Sequence, residues 1–78
     1  MNQRLGLEHN QQNVGKLLRL YRRSANLKSQ YVAKELGMSR GNYSKLENGV
    51  IELSDRRLFL LCKIYQITPP EFYLHFKY

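Results

Sequence analysis

Seventy-eight residues leave room for one domain, and a domain of that size buries only about 60% of the surface its unfolded chain exposes. The lone cysteine, Cys62, excludes an internal disulfide and suits a reducing compartment. No apolar run reaches the roughly 20 residues that cross a bilayer, and Met1 to Leu5 lacks the apolar stretch of a signal peptide, so a soluble, cytoplasmic chain is expected. Thirteen Lys and Arg against six Asp and Glu give a net charge of +7, with eight of the basic residues and two of the acidic ones between positions 14 and 49. A concentrated positive field attracts a polyanion by releasing its counterions, although surface lysines also serve plain solubility.

Residues 1–13 are rich in Asn and Gln, without apolar periodicity, and read as a flexible arm. The domain is expected over 14–78. From Val14 the spacing is helical: Val14, Leu17, Leu18, Tyr21 and Ala25 mark one apolar face, and Lys16, Arg19, Arg22 and Arg23 the opposite one. Asn26 suits a left-handed stop. A short second helix runs from about Ser29 to Leu36, with Val32, Ala33 and Leu36 inward. Gly37 can take the positive φ that ends it tightly. Ser39 caps a third helix from Arg40 to about Glu47, which turns Tyr43 and Leu46 inward. Asn48-Gly49 marks a turn.

Val50 to Leu53 read as a loop over the core. Ser54 and Asp55 start a fourth helix, with a negative charge near its positive end. Leu58, Leu61, Cys62 and Tyr65 line its core face, widened by Phe59, Leu60 and Ile64. Thr68, Pro69 and Glu71 form the cap, first residue and capping box of a fifth helix, to which Phe72, Leu74, Phe76 and Tyr78 give an apolar surface. No segment shows the period-two alternation of a strand. The fold class is therefore all-α, a compact arrangement of five helices.

The stretch from Leu27 to Gly49 carries the chemistry. Two short helices joined through Gly37-Met38-Ser39 meet at a steep angle, so the second protrudes while the first braces it. A protruding helix fits the major groove of B-DNA, about 12 Å wide. Its outward face presents Arg40, Gly41, Ser44 and Lys45, and its N-terminal end offers free N–H groups to phosphates.

Val32-Ala33, Leu36-Gly37, Ser39 and Leu46-Glu47-Asn48-Gly49 stand together in register. With them the chain from about Val14 to Tyr73 resembles the Cro/C1-type (XRE-type) helix-turn-helix family of phage repressors and small bacterial regulators. The resemblance implies a lambda-repressor-like domain that binds double-stranded DNA as a bacterial or phage transcriptional regulator, most simply a repressor. It puts base contacts at Arg40, Gly41, Ser44 and Lys45, with Arg40 and Lys45 able to donate either to guanine or to phosphate. It puts phosphate contacts at Ser39, at Asn42 and at the loop residue Asn48. It pairs Arg22 with Glu47 behind the third helix, the other option being that Arg22 itself meets phosphate.

The chain departs from the family in three places. The family usually opens its second helix with a phosphate-binding glutamine, where Ser29 stands here, with Lys28 at the capping position and Gln30 one place late. Either Ser29 becomes the cap, or Lys28 and Ser29 share the phosphate contact. Gly41 lies inside a helix, where glycine costs about 1 kcal/mol relative to alanine, and a close approach to a base, such as a thymine methyl, would explain it. Tyr65-Gln66-Ile67 replaces a segment in which the family commonly has a glycine.

No catalytic residue, metal ligand set, cofactor or small-molecule ligand is expected. His9 and His75 are the only histidines, neither is near Cys62 in sequence, and Cys62 falls on an apolar face. Tyr31 and Tyr43 could stack on single-stranded bases, but Tyr43 holds a core position and no RNA-binding motif accompanies them. The rival reading is a protein-interaction adaptor or an antitoxin-type partner on the same fold; the cationic outward face of the third helix favours DNA. One short helix reads too few base pairs to find a genomic site, so a homodimer is expected. Its contact falls to the aromatic end, Phe72, Tyr73, Phe76 and Tyr78, unless Phe72 and Phe76 merely close the core.

Overall fold

The structure is a computed structural model that describes residues 4–77. Five helices follow one another: α1 (Gln11–Ser24), α2 (Ser29–Glu35), α3 (Arg40–Glu47), α4 (Asp55–Tyr65) and α5 (Pro69–Tyr73). Their apolar faces meet in one core built around Leu17, Leu18, Val32, Tyr43, Leu46, Leu61 and Phe72. No helix among the described residues is long and apolar enough to cross a membrane.

Short polar side chains start most of the helices. Ser39, Ser54 and Thr68 each accept from the backbone N–H three residues on, at 3.1 to 3.3 Å, and Glu71 closes the box at Thr68. Asn26 and Gly37 take the positive φ read from sequence, at 61° and 68°. Gln66 does the same at 58°; a non-glycine residue in that conformation costs about 1 kcal/mol. α2 is the exception: its cap is Lys28, which makes no side-chain cap bond, and Ser29 is its first helical residue. The reading in which Ser29 becomes the cap is thus corrected.

The N-terminal boundary also moves. α1 starts at Gln11, three residues before Val14, because the Asn10 side chain accepts from Asn13 N–H at 2.8 Å. Residues from Leu7 onward are not a free arm. Leu7 forms an isolated parallel bridge with Phe76: its N–H donates to the His75 carbonyl at 2.8 Å and its carbonyl accepts from Lys77 N–H at 2.7 Å. Glu8 meets Lys77 at 3.1 Å, and the His9 ring packs on Phe76 and Tyr73.

Three apolar assignments shift as well. Ala25 is exposed at the end of α1. Phe59 is 53% exposed and lies under the Lys63 ammonium at 4.7 Å, while Leu60 and Ile64 are half-buried. The run Leu58–Leu61 holds more apolar residues than one helix face can bury. α5 ends at Tyr73, so Leu74 is exposed, and the chain turns to bury His75 and Phe76. Tyr78 lies outside the described residues, as do Met1, Asn2 and Gln3.

Two glycines seat α3 against α1. A Cβ at Gly15 would stand 2.6 Å from the Leu46 carbonyl oxygen, so only glycine lets α1 approach α3 this closely. At Gly49, φ is 73° and a Cβ would meet the Gln12 backbone at 2.7 Å. The first turn of α1 therefore fixes where α3 ends.

Candidate nucleic-acid interface

α3 has two faces because its inward residues are three apart. Tyr43 is fully buried and Leu46 nearly so, while Arg40, Gly41, Asn42, Ser44 and Lys45 are exposed. Among the described residues neither Arg40 nor Lys45 has an acidic partner, and both cations stay available to a ligand. Space around Gly41 is open: a Cβ there would have no atom within 4 Å.

Behind α3, Glu47 is buried to 5% exposure and saturated with donors. Arg22 reaches it twice, Nε to Oε2 at 2.7 Å and Nη2 to Oε1 at 3.1 Å. Arg19 Nε donates to Oε1 at 3.2 Å, and the Tyr43 hydroxyl donates to Oε2. Burial alone would raise the Glu47 pKa. The hydrogen bonds from Arg22 and Tyr43, and the Arg22 charge, outweigh it and hold the carboxyl below its ordinary range. The same contact raises the Arg22 pKa, and burial with the Glu47 hydrogen bond raises that of Tyr43. Tyr65, whose hydroxyl lies 3.5 Å from that of Tyr43, is pushed up to about 12, chiefly by burial. Arg22 also donates to the Leu27 carbonyl at 3.0 Å, which ties α3 through α1 to the entry of α2. The acid at the end of α3 is thereby neutralised from behind.

Arg19 is the residue that sequence reasoning missed. It was read only as part of a basic face, yet it lies three residues before Arg22, so both project from one side of α1. Its second nitrogen, Nη2, donates to Asn48 Oδ1 at 2.7 Å, and Asn48 Nδ2 donates to Ser44 Oγ at 3.3 Å. Lys28, Ser29, Gln30, Arg22 and Arg40 line a polar cleft between the start of α2 and the start of α3. The structure thus gathers Arg40 with Lys28, Ser29 and Gln30 in one place, and Ser44 with Asn48 in another. Ser39 caps α3, and Asn42 stands exposed two residues beyond Arg40, outside the residues that line the cleft.

Residues 18–72 match a family model described as helix-turn-helix, a span running from within α1 into α5. Among curated proteins, none matches the chain. Among solved structures, the clp gene regulator ClgR from Corynebacterium glutamicum is similar, with a TM-score of 0.76 at 23% identity, covering 83% of this chain and 83% of that one. The restriction-modification controller protein C.AhdI from Aeromonas hydrophila is similar with a TM-score of 0.71 at 24% identity, covering 78% of this chain and 88% of that one. At these identities the likeness is one of fold. The matched span covers more than half of the chain and takes in the whole of α2, its turn and α3, and on that ground the chain belongs to the Cro/C1-type helix-turn-helix family.

Proposed function

We propose that this chain is a transcriptional regulator that binds double-stranded DNA sequence-specifically, with α3 in the major groove. The carrying observation is the division of α3: two apolar residues anchor it, while Arg40 and Lys45 project without acidic partners among the described residues and Glu47 is neutralised from behind. Arg40, Gly41, Ser44 and Lys45 meet base edges, and each good bidentate contact from Arg or Lys is worth about 1–3 kcal/mol of discrimination. Lys28, Ser29 and Gln30 hold a phosphate at the cleft they share with Arg40, and Ser39, Asn42 and Asn48 flank the groove on the backbone. Gly41 lets the helix come close to a base, in keeping with the open space around it. The similar structures are described as a gene regulator and a controller protein, which agrees with a regulatory role in a bacterial or phage cytoplasm. Two copies related by a two-fold axis would read half-sites about 34 Å apart.

Selection of duplexes from a random-sequence pool, followed by gel shifts on the selected site, tests this. A two-fold symmetric preference is expected, with log K falling against log[salt] at about −0.9 per phosphate neutralised. Lys45→Ala should relax preference at one base pair per half-site, whereas Lys28→Ala should weaken all sequences about equally. An affinity independent of salt, or no enriched sequence, would refute the proposal.

A further inference from the structure

We infer that Arg19 sets the hydrogen-bond polarity of Ser44, and so the bases Ser44 can read, by locking the Asn48 amide between them; this rests on the DNA reading above. Arg19 contributes only donors. Its Nη2 at 2.7 Å from Asn48 therefore identifies the amide oxygen and turns Nδ2 toward Ser44 Oγ, 3.3 Å away. Asn48, the C-cap of α3, lies one helical turn beyond Ser44 and within reach of it. The far end of the relay is rigid too, because Arg19 Nε is held at 3.2 Å by Glu47, which Arg22 and Tyr43 already fix.

The consequence falls on the serine. A hydroxyl is donor and acceptor at once and can present either to a base. Here Ser44 Oγ accepts from Asn48, and among the described residues Asn48 is its one side-chain partner. Its own hydrogen is left for an outside acceptor. Guanine, adenine and thymine all offer an acceptor in the major groove, whereas cytosine offers only its amino donor. Against cytosine that hydrogen would find no acceptor, and only the second lone pair of Oγ could meet the amino group. Ser44 should thus disfavour cytosine at the base it faces. Arg19 is a positioning residue in this scheme, acting through Asn48, which keeps its second amide hydrogen for a phosphate.

The test scores all four bases at each position of the selected duplex, with thermal melting and salt slope measured for every variant. Wild type should reject cytosine at one position per half-site by about fivefold, the worth of one neutral hydrogen bond, and Ser44→Ala should abolish that rejection. Arg19→Lys keeps the charge but cannot donate to Glu47 and Asn48 as a fork; it should lose the rejection at that position with selectivity elsewhere retained. Asn48→Asp turns an acceptor toward Ser44, reverses the hydroxyl and should shift preference toward cytosine, a change that mere destabilisation would not produce. Unchanged selectivity in Arg19→Lys and Asn48→Asp, beside a selective wild type, overturns the relay alone. A salt slope reduced by about one phosphate in Arg19→Ala, with selectivity intact, likewise overturns it and makes Arg19 a phosphate contact. A wild type without sequence preference overturns the DNA reading itself.

Discussion

Four hydrogen bonds converge on the Glu47 carboxylate from Arg19, Arg22 and Tyr43. A charge with only 4% of its side chain exposed is stable only when matched in this way. Its folded pKa lies below the ordinary 4.5, so its stabilising effect is complete above that pH and is lost as pH falls through the folded value. His75 behaves alike from a higher starting point. Burial keeps it neutral, with Nε2 3.1 Å from the Tyr21 hydroxyl and Nδ1 without a partner among the described residues, and depresses its pKa below 6.5. It too binds protons more weakly folded than unfolded, and stability declines as pH drops below about 6.5. Urea unfolding followed across pH should thus show two stages of weakening. His75→Gln should remove the first. Glu47→Gln should remove the second, at a cost of about 3 kcal/mol near neutrality because Arg22 loses its counter-charge.

At the scale of elements, two helical glycines make opposite demands. Gly15 lies where α1 touches α3, and Gly15→Ala should destabilise the protein by about 2 kcal/mol through overpacking. Gly41 faces open space, and Gly41→Ala should stabilise the free protein by about 1 kcal/mol through helix propensity while weakening DNA binding. Chemical denaturation of the two variants gives the stabilities. Tighter, equally selective binding by Gly41→Ala would remove the close-approach role. The helices themselves were legible because their signals are local: caps at Ser39, Ser54 and Thr68, stops at Asn26 and Gly37, and three-and-four spacing between. What escaped was set by distant partners. The first turn of α1 has no apolar periodicity because a glycine contact with the end of α3, rather than a buried side chain, holds it there. The bridge from Leu7 to Phe76 joins segments with no pairing signal of their own. Arg19 was visible as a cation, but its fork onto Glu47 and Asn48 depends on how α1 crosses α3.

For the whole molecule, burial sorts the aromatic end. Phe72 and Phe76 close the core, which leaves Tyr73 and Leu74 as its exposed apolar residues among those described. Among the described residues, a homodimer contact on this end would fall on Tyr73 and Leu74. Cutting the chain after Leu74 would remove buried His75 and Phe76 and confound the experiment with unfolding. Sedimentation of Tyr73→Ser combined with Leu74→Ser should show a shift toward monomer with melting little changed. An unchanged oligomeric state would take this surface out of the scheme.

The Leu7–Phe76 bridge makes the two edges of the domain a single opening unit. The amide of Leu7 is bonded to His75 and that of Lys77 to Leu7, so neither can be released while the other stays sheltered. Deuterium uptake at these two amides, 70 residues apart in the chain, should proceed with one shared protection factor, slower than at Glu8 beside them. Unequal protection would mean that the clasp opens in two independent halves.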